Sequence, residues 1–207
     1  PLKDISEDDM MFIIGDNSKI TLSALGALRL KIAKINDLID ESIFAPLWVI
    51  DFPLFDWNEE NNRWDSLHHP FTSPNFEDIE LLDSDPSKVR SLGYDIVMNG
   101  YEIGGGSIRI HNKNLQSKVF DLLGITKEEA NEKFGFLMNA FKYGAPPHGG
   151  MAFGFDRLIM LLVGSKQIRD VIAFPKTTSA MSLMDQSPSN VDKKQLDELG
   201  LSLKKKK

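Results

Sequence analysis

An Asn-Gly dipeptide at residues 99–100 separates two stretches with strand character and sets the first constraint on the fold. It is the strongest short signal for a β-hairpin, because both residues tolerate the positive φ angles of a type I′ turn. A two-residue turn would place Val97 opposite Glu102. The stretch "YDIVMNGYEIGGGSIRIH", residues 94–111, is therefore predicted to form an antiparallel strand pair.

Two acidic side chains flank this turn. Asp95 shares the face of Val97, so it lies diagonally across from Glu102, at roughly 7–8 Å between backbones. Two carboxylates at that spacing can hold one hard cation. The chain has 0 cysteines, so any metal must be held by carboxylates or histidines, which favours magnesium over structural zinc. Surface salt bridges are the alternative interpretation of the two acids.

Three consecutive glycines, residues 104–106, follow Glu102. Glycines within a strand mark a bulge or a close approach by a ligand. Strict alternation would put Arg109 on the opposite face from Glu102, and we predict a bulge at the glycines that brings both to one face. Arg109 is then suited to bidentate capture of a carboxylate or phosphate. A structural ion pair with a neighbouring helix is the alternative.

A second basic site is predicted in "HGGMAFGFDRLIMLLVG", residues 148–164. A short strand, residues 150–154, leads into a helix over about residues 156–163, with Arg157 in its first turn. Helix N-termini attract anions, and an arginine there adds a full charge for phosphate. The alternatives are a solvated Arg157 and an Asp156 that only caps the helix.

Two adjacent histidines, His68 and His69, precede Pro70. Neighbouring side chains on a strand point to opposite faces, so at most one of the pair is expected to enter a given site. One histidine would contact a small anionic ligand. A structural histidine is the alternative reading of the pair.

Strand-like runs mixed with helical patterns, without a regular βαβ alternation, predict an α+β fold with an antiparallel sheet flanked by helices. The predicted strands outside the central hairpin cover residues 8–16, 47–57 and 63–71, and the last two would form a hairpin. The predicted helices cover residues 21–40, 115–123 and 127–141, with Gly124 ending the second.

Composition narrows the class of protein. The net charge of −6 argues against holding nucleic acid by bulk electrostatics. No apolar run approaches the roughly 20 residues of a membrane span, and the first residues do not have the pattern of a signal peptide. We therefore expect a cytoplasmic protein.

Five stretches, taken in order, resemble the bacterial-type aspartyl-tRNA synthetases, which are class II enzymes. The stretch "GGMAFGFDRL" is similar to the third signature motif of that class, and "GGGSIRIH" separates the bacterial aspartyl type from the lysyl and asparaginyl enzymes. The resemblance covers nearly the whole chain. The five stretches are "LWVIDFPLFDW", "HHPFTSP", "NGYEIGGGSIRIH", "FGFLMNAFKYGAPPHGGMAFGFDRLIMLL" and "IRDVIAFPKTTSAMSLMDQSP".

The resemblance implies the antiparallel catalytic sheet of class II and a reaction in two steps. Aspartate and ATP form aspartyl-adenylate, and the aspartyl group then passes to the terminal ribose of tRNA. Arg109 would bind the side-chain carboxylate of L-aspartate, and His68 would lie beside that amino acid. The implied partners are ATP, L-aspartate and tRNA, with a homodimer in the full-length enzyme.

The resemblance also assigns a magnesium and nucleotide site. Asp95 and Glu102 would hold Mg²⁺ and so orient ATP. Attack by the substrate carboxylate needs no protein nucleophile, so no side chain is assigned a covalent role and catalysis would rest on positioning and charge neutralisation. The implied ATP-binding residues are Glu102, Gly154, Phe155, Asp156 and Arg157.

Residues 1–35 resemble the tail of the domain inserted in the bacterial type, and residues 36–207 resemble the later part of the catalytic domain with a C-terminal extension. The anticodon-binding barrel and the first two signature motifs have no counterpart in this sequence. We therefore expect a C-terminal fragment that is inactive by itself. A catalytically dead, synthetase-like module that binds a nucleotide or a protein is the alternative. Two substrate ranges fit the resemblance: the aspartate tRNA alone, or the asparagine tRNA as well.

Overall fold

A computed structural model describes residues 6–204 of the chain. The chain divides into two compact units, Pro1–Ala45 and Pro46–Lys207. Within the described part, none of the helices is long and apolar enough to cross a membrane. The predicted domain boundary at residue 35 falls at the end of the first helix, ten residues before this division; the assignment of the first unit to an inserted domain stays a prediction.

The first unit contains one helix, α1, Ser18–Ile35. The side chain of Asn17 caps it by accepting a hydrogen bond from the backbone N–H of Ile20 at 3.0 Å. The predicted strand at residues 8–16 is wrong, because these residues form no strand. A strand is stabilised by pairing with a neighbour, and the described residues of this unit supply none.

The second unit is built on a four-stranded antiparallel sheet in the order β1-β4-β5-β6. Its strands are β1, Pro46–Val49; β4, Gly93–Met98; β5, Tyr101–Ile108; and β6, Gly149–Phe153. Every neighbouring pair is antiparallel, as predicted. The Asn-Gly turn joins β4 to β5 with Val97 paired to Glu102, which confirms the register predicted from the sequence.

A separate two-stranded hairpin pairs β2, Phe55–Asn58, with β3, Arg63–Ser66. The hairpin predicted over residues 47–57 and 63–71 is therefore correct only in its central part. Its first arm is divided between two sheets, because Asp51 turns the chain with a φ of 58° and Pro53 cannot donate to a strand ladder. Its second arm ends at Ser66, so the two histidines lie beyond the strand.

Helices flank the sheet, with boundaries close to those predicted. A complete capping box at Thr126 and Glu129 starts the helix after residue 126, and Gly124, with a φ of 69°, follows the end of the helix before it. The helices of this unit are α2, Leu81–Ser84; α3, Lys113–Leu122; α4, Lys127–Ala140; α5, Phe155–Leu162; and α6, Lys193–Glu198. Single turns of 3₁₀-helix cover Phe76–Asp78, Pro86–Lys88, Phe141–Tyr143 and Ile168–Asp170.

Two apolar clusters form the core of the second unit. The larger cluster contains Leu54, Phe55, Leu82, Val89, Ile110, Val119 and Leu123. The smaller cluster is aromatic and contains Phe71, Phe120 and Phe141, with Phe134 packed against them. Ile110 and Phe71 belong to different clusters and are joined by a backbone hydrogen bond of 2.9 Å from the Ile110 N–H to the Phe71 carbonyl. The segment after β5 and the segment after His69 are therefore fixed to each other.

An ion cluster around Arg90 fastens the loop before β4. The guanidinium donates to both carboxylate oxygens of Asp78, at 2.8 and 2.9 Å, and to Glu77 at 2.9 Å. The Arg90 backbone N–H donates to Asp78 as well, at 2.9 Å. The side-chain hydrogen bonds from Arg90, followed by this backbone hydrogen bond, lower the pKa of Asp78 to about 2. Asp78 is thus a structural carboxylate.

Candidate functional site

A cavity of about 530 Å³ opens on one face of the four-stranded sheet. Strand β5 forms its floor, and the start of α5 and the loop after β3 form its sides. It contains all eight residues that the sequence analysis assigned to a site. They are His68, Asp95, Glu102, Arg109, Gly154, Phe155, Asp156 and Arg157.

A register shift in the β4–β5 pair puts the acids and the arginine on one face. Val97 pairs with Glu102, whereas Ile96 pairs with Gly104, so Ile103 is the extra residue on β5. The predicted bulge thus lies one residue before the three glycines. Since side chains alternate along a strand, the shift returns Arg109 to the face of Glu102, and both line the cavity.

The glycines are required by close contacts between strands. A Cβ atom at Gly105 would lie 2.2 Å from the carboxylate oxygen Oδ1 of Asp95. A Cβ atom at Gly106 would lie 1.9 Å from the carbonyl oxygen of Gly150 on β6. Glycine at position 105 therefore leaves the space that the Asp95 carboxylate occupies, and glycine at position 106 lets β6 approach β5.

The two acids present oxygen ligands to the same cavity. Asp95 lies on β4 opposite Gly105, and Glu102 lies at the start of β5. Neither carboxylate forms a salt bridge with another part of the chain between residues 6 and 204, so the surface-salt-bridge interpretation does not describe them. That stretch also contains no group of three or more acidic or histidine side chains able to hold a metal. The pair fits Mg²⁺, which commonly takes one or two protein carboxylates and completes its shell with water and phosphate oxygens.

Arg109 is held by its backbone while its guanidinium faces the cavity. Its N–H donates to the carbonyl of His148 at 2.9 Å, and it forms an isolated antiparallel bridge with Thr72. The Nη1 atom of its guanidinium is buried and has no hydrogen-bond partner within the described residues. The alternative of a structural ion pair is not observed in that part of the chain. A buried cationic donor without a partner is costly, so this atom is a strong candidate to bind an anion.

Both histidines line the cavity, so the prediction that they point to opposite faces is wrong. That prediction assumed a strand, but β3 ends at Ser66 and the chain bends at His68. The His68 ring packs edge-on against Phe52, with 4.6 Å between centroids. The Nδ1 atom of His69 accepts a hydrogen bond from the backbone N–H of Phe71 at 3.3 Å. Burial, and secondarily the charge of Arg109, lower the pKa of His69 below its usual value, which favours the neutral ring.

The first turn of α5 supplies the second basic group. Gly154 is the N-cap residue and donates its own N–H to the carbonyl of Ile103 at 2.9 Å. Asp156 lies inside the first turn and does not cap the helix, so the capping alternative is wrong. The Nη1 atom of Arg157 donates to the backbone carbonyl of Glu102. The start of α5 is therefore joined to the bulged segment of β5 by two hydrogen bonds.

Two further polar residues of the cavity were missed by the sequence analysis. Thr72 and Ser107 are buried in the cavity floor, and the Thr72 hydroxyl lies 3.3 Å from the Ser107 hydroxyl. Ser107 shares the face of Arg109, which the alternation along β5 predicts once the bulge is known. Thr72 comes from the segment after the histidines, and its position depends on a contact between distant parts of the chain.

The antiparallel sheet with flanking helices is the fold of a class II synthetase. The chain belongs to the class II tRNA synthetase family of the D, K and N enzymes, whose family model matches residues 4–178. Within that family it is similar to aspartate-tRNA ligases. It is 55% identical to the aspartate-tRNA ligase of Staphylococcus carnosus (strain TM300) over 196 residues, which cover 95% of this chain and 33% of that protein.

A second relative is the aspartate-tRNA(Asp/Asn) ligase of Caldanaerobacter subterraneus subsp. tengcongensis, 56% identical over 195 residues, or 94% of this chain and 33% of that protein. The chain thus spans about a third of the length of these curated relatives. Among solved structures, the aspartyl tRNA synthetase from Entamoeba histolytica is similar with a TM-score of 0.50 and 23% identity, covering 84% of this chain and 29% of that one. This likeness supports the fold alone.

Proposed function

We propose that the chain forms part of the active site of an aspartate-tRNA ligase. The whole enzyme would activate L-aspartate with ATP and transfer the aspartyl group to tRNA. The observation that carries the proposal is the buried, unpartnered Nη1 atom of Arg109, which lies in one cavity with two unpaired carboxylates and a second arginine. The high identity to aspartate-tRNA ligases supports this proposal and does not favour the alternative of a dead synthetase-like module.

Arg109 accounts for the choice of amino acid. Its guanidinium would pair with the side-chain carboxylate of L-aspartate, and His68 would lie beside the bound amino acid. Asparagine would leave the buried cation without its counter-ion, which costs several kcal/mol where water cannot reach, on the order of 2–5. The unpaired Nη1 atom of Arg109 supports this assignment, because the described residues offer it no acceptor.

The two carboxylates of the cavity and the start of α5 would bind the nucleotide and its metal ion. Asp95 and Glu102 would hold Mg²⁺, which neutralises charge on the phosphates of ATP when it is bound. Arg157 would bind phosphate oxygens, together with the first-turn residues Phe155 and Asp156 and the cap residue Gly154. The hydrogen bond from Arg157 to the Glu102 carbonyl supports this proposal, because it holds the guanidinium beside the residue that would bind the metal.

The proposed reaction needs positioning rather than a protein nucleophile. An oxygen of the aspartate α-carboxylate forms a bond to the α-phosphorus of ATP, and the bond to diphosphate breaks. In the second step a hydroxyl of the terminal ribose of tRNA attacks the activated carbonyl, loses its proton, and AMP leaves. Arg109 would fix the amino acid and Arg157 would fix the phosphates within the same cavity, so the reacting atoms would be brought together.

The proposal extends to the partners and location of the whole enzyme. Its substrates would be ATP, L-aspartate and tRNA, and it would act as a homodimer in the cytoplasm. Because the chain spans a third of its relatives, we expect it to bind Mg²⁺-ATP weakly and to be inactive by itself. The fold of the second unit supports nucleotide binding by the part described here.

Calorimetric titration of Mg²⁺-ATP into this chain tests the proposal. Arg157→Ala and Glu102→Ala are expected to weaken binding at least about tenfold, since each removes a charged contact to the nucleotide or its metal. Arg63→Ala is the matched control, because Arg63 pairs with Asp65 on the separate hairpin and does not line the cavity. Equal binding by the parent and all three variants would show that the nucleotide does not bind in this cavity.

A further inference from the structure

One polar side chain is fully enclosed among the apolar residues of α3. Gln116 is 0% exposed and lies one turn before Val119 and Phe120, which belong to the two apolar clusters. Its Nε2 atom donates a hydrogen bond to the carbonyl oxygen of Pro70 at 2.8 Å. Its Oε1 atom is buried without a partner in the described residues. Burying an amide that is only half satisfied carries a cost, which the bond to Pro70 must offset.

The acceptor of this bond lies in the turn that carries the cavity histidines. Pro70 directly follows His69 and has no N–H of its own. The turn is closed on its other side by the Thr72 N–H, which donates to the His69 carbonyl at 2.8 Å. The Phe71 N–H donates to the His69 ring at 3.3 Å. Gln116 thus supplies a hydrogen bond from α3 to the middle of this turn, beside the ring contact between Phe120 and Phe71.

The turn determines which nitrogen of His69 can donate. A ring nitrogen that accepts a hydrogen bond carries no proton, so acceptance at Nδ1 leaves Nε2 as the protonated nitrogen of the neutral ring. His69 lines the cavity close enough to Arg109 to feel its charge. The other charged or titratable groups lining this cavity are His68, Asp95, Glu102, Asp156 and Arg157.

We propose that Gln116 is a positioning residue: through the Pro70 carbonyl it holds His69 so that the ring and Arg109 face one carboxylate ligand. His69 would supply a neutral Nε2–H donor beside the cationic donors of Arg109. That the carboxylate is the side chain of L-aspartate rests on the proposed function. The orientation of the ring does not, and it can be measured without any ligand.

A purely structural explanation makes a different prediction. If Gln116 only satisfied a buried carbonyl, its loss would lower the stability of the fold as any core substitution on α3 does, and the cavity would keep its properties. If Gln116 positions His69, its loss frees the turn, the ring gains water and moves away from Arg109, and its pKa rises toward the ordinary value of histidine. The two explanations therefore differ in what happens to His69.

The test compares Gln116→Met with Val119→Ala. Methionine matches the length of glutamine but cannot donate, whereas Val119→Ala makes a cavity in the same helix without touching Pro70. The titration of His69 is followed by NMR in the ligand-free chain, with His69→Asn to assign its signal among the 4 histidines. The His69 pKa is expected to rise in Gln116→Met and to stay at the parent value in Val119→Ala. Addition of L-aspartate is expected to give about threefold to tenfold weaker binding in the methionine variant alone.

A second variant keeps the test decisive if Gln116→Met does not fold. Gln116→Glu has the same length, and its carboxyl can donate to the Pro70 carbonyl only while it is protonated. The His69 signal is then expected to show a second titration step that the parent lacks. An unchanged His69 titration in the folded Gln116 variants, or an equal change in Val119→Ala, would overturn the proposal. If the His69 pKa moves only in the Gln116 variants but no protein binds L-aspartate, the positioning role stands and the aspartate assignment fails.

Discussion

Two half-buried arginines of the second unit differ in how their charge is satisfied. Arg90 has partners on every side, since its guanidinium contacts Asp78 and Glu77 and approaches Asp51 to 3.9 Å. Arg109 has no salt bridge to the described residues, and its buried Nη1 atom has no acceptor there. The same type of side chain therefore stabilises the fold at residue 90 and, as we propose, binds a ligand at residue 109.

The difference distinguishes an arginine whose charge is paired within the chain from one whose charge is available to a ligand. A cation that its own chain neutralises needs nothing further, and it holds together the segments that supply its partners. A desolvated cation that its own chain leaves unpaired costs free energy until an anion arrives. The two arginines should therefore respond in opposite ways to mutation and to ligand.

Arg109→Met is expected to give the largest effect on ligand binding. The affinity for L-aspartate, followed by NMR at millimolar concentrations, should fall about a hundredfold or more, because a desolvated charge pair is lost. The melting temperature should stay within about 2 °C of the parent or rise, since an unpaired buried charge is replaced by an apolar side chain. A large loss of thermal stability with unchanged aspartate binding would place Arg109 in the same class as Arg90.

Gly105→Ala tests the metal side of the cavity. The new Cβ atom would lie 2.2 Å from the Asp95 carboxylate, which must then move. Binding of Mg²⁺-ATP should weaken about tenfold, as expected when one charged ligand is displaced. Gly150→Ala is the matched control on β6, because a Cβ there meets no atom within 4 Å. Similar binding by both variants would show that Asp95 does not hold the metal.

Arg90→Met should have the opposite pattern from Arg109→Met. The melting temperature is expected to fall by about 5 °C or more, because Asp78 is left with a single backbone donor. Binding of Mg²⁺-ATP to the folded protein should change less than about twofold, since Arg90 does not line the cavity. Lys88→Met, at an exposed residue whose salt bridge is with Asp85, is the control for the loss of a surface charge.

The smallest effect is expected in the acid stability of the Arg90 cluster. The pKa of Asp78 falls from its ordinary value of 3.8 to about 2 in the folded protein. The stabilisation from this carboxylate is therefore fully present above pH 3.8 and is lost as the pH falls through about 2. The free energy of unfolding, measured by urea denaturation as a function of pH, should fall less steeply at acid pH in Asp78→Asn than in the parent protein. If the free energy of unfolding depended on pH in the same way in both proteins, Asp78 would not contribute to the loss of stability in acid.

Local signals in the sequence predicted the central hairpin well. The Asn-Gly turn fixes the pairing of Val97 with Glu102, because a two-residue loop leaves one register. The bulge followed from the glycines and from the need to place Glu102 and Arg109 together. The boundaries of the helices predicted after residue 110 were also close, since caps such as Thr126 and Gly124 act within a few residues. The helix predicted over residues 21–40 instead covers Ser18–Ile35.

Features that depend on distant contacts were not predictable from pattern alone. The strand predicted at residues 8–16 has strand-like composition, but no described strand pairs with it. The assignment of β1 to the main sheet depends on β4, which lies far along the chain. Gln116 has the sequence character of an exposed helical residue, and only the packed structure places it at 0% exposure behind the histidine turn.

The single extra residue at Ile103 has a consequence for how this site can change over time. With this bulge in place, deletion of one residue between Gly104 and Ile108 would turn Arg109 away from Glu102, while most side-chain exchanges nearby would leave that geometry alone. This stretch of the hairpin is therefore expected to tolerate many substitutions but no shift of its register by one residue. Evolution of amino-acid preference at this cavity is expected to proceed by substitution, with the spacing between the acid and the arginine held constant.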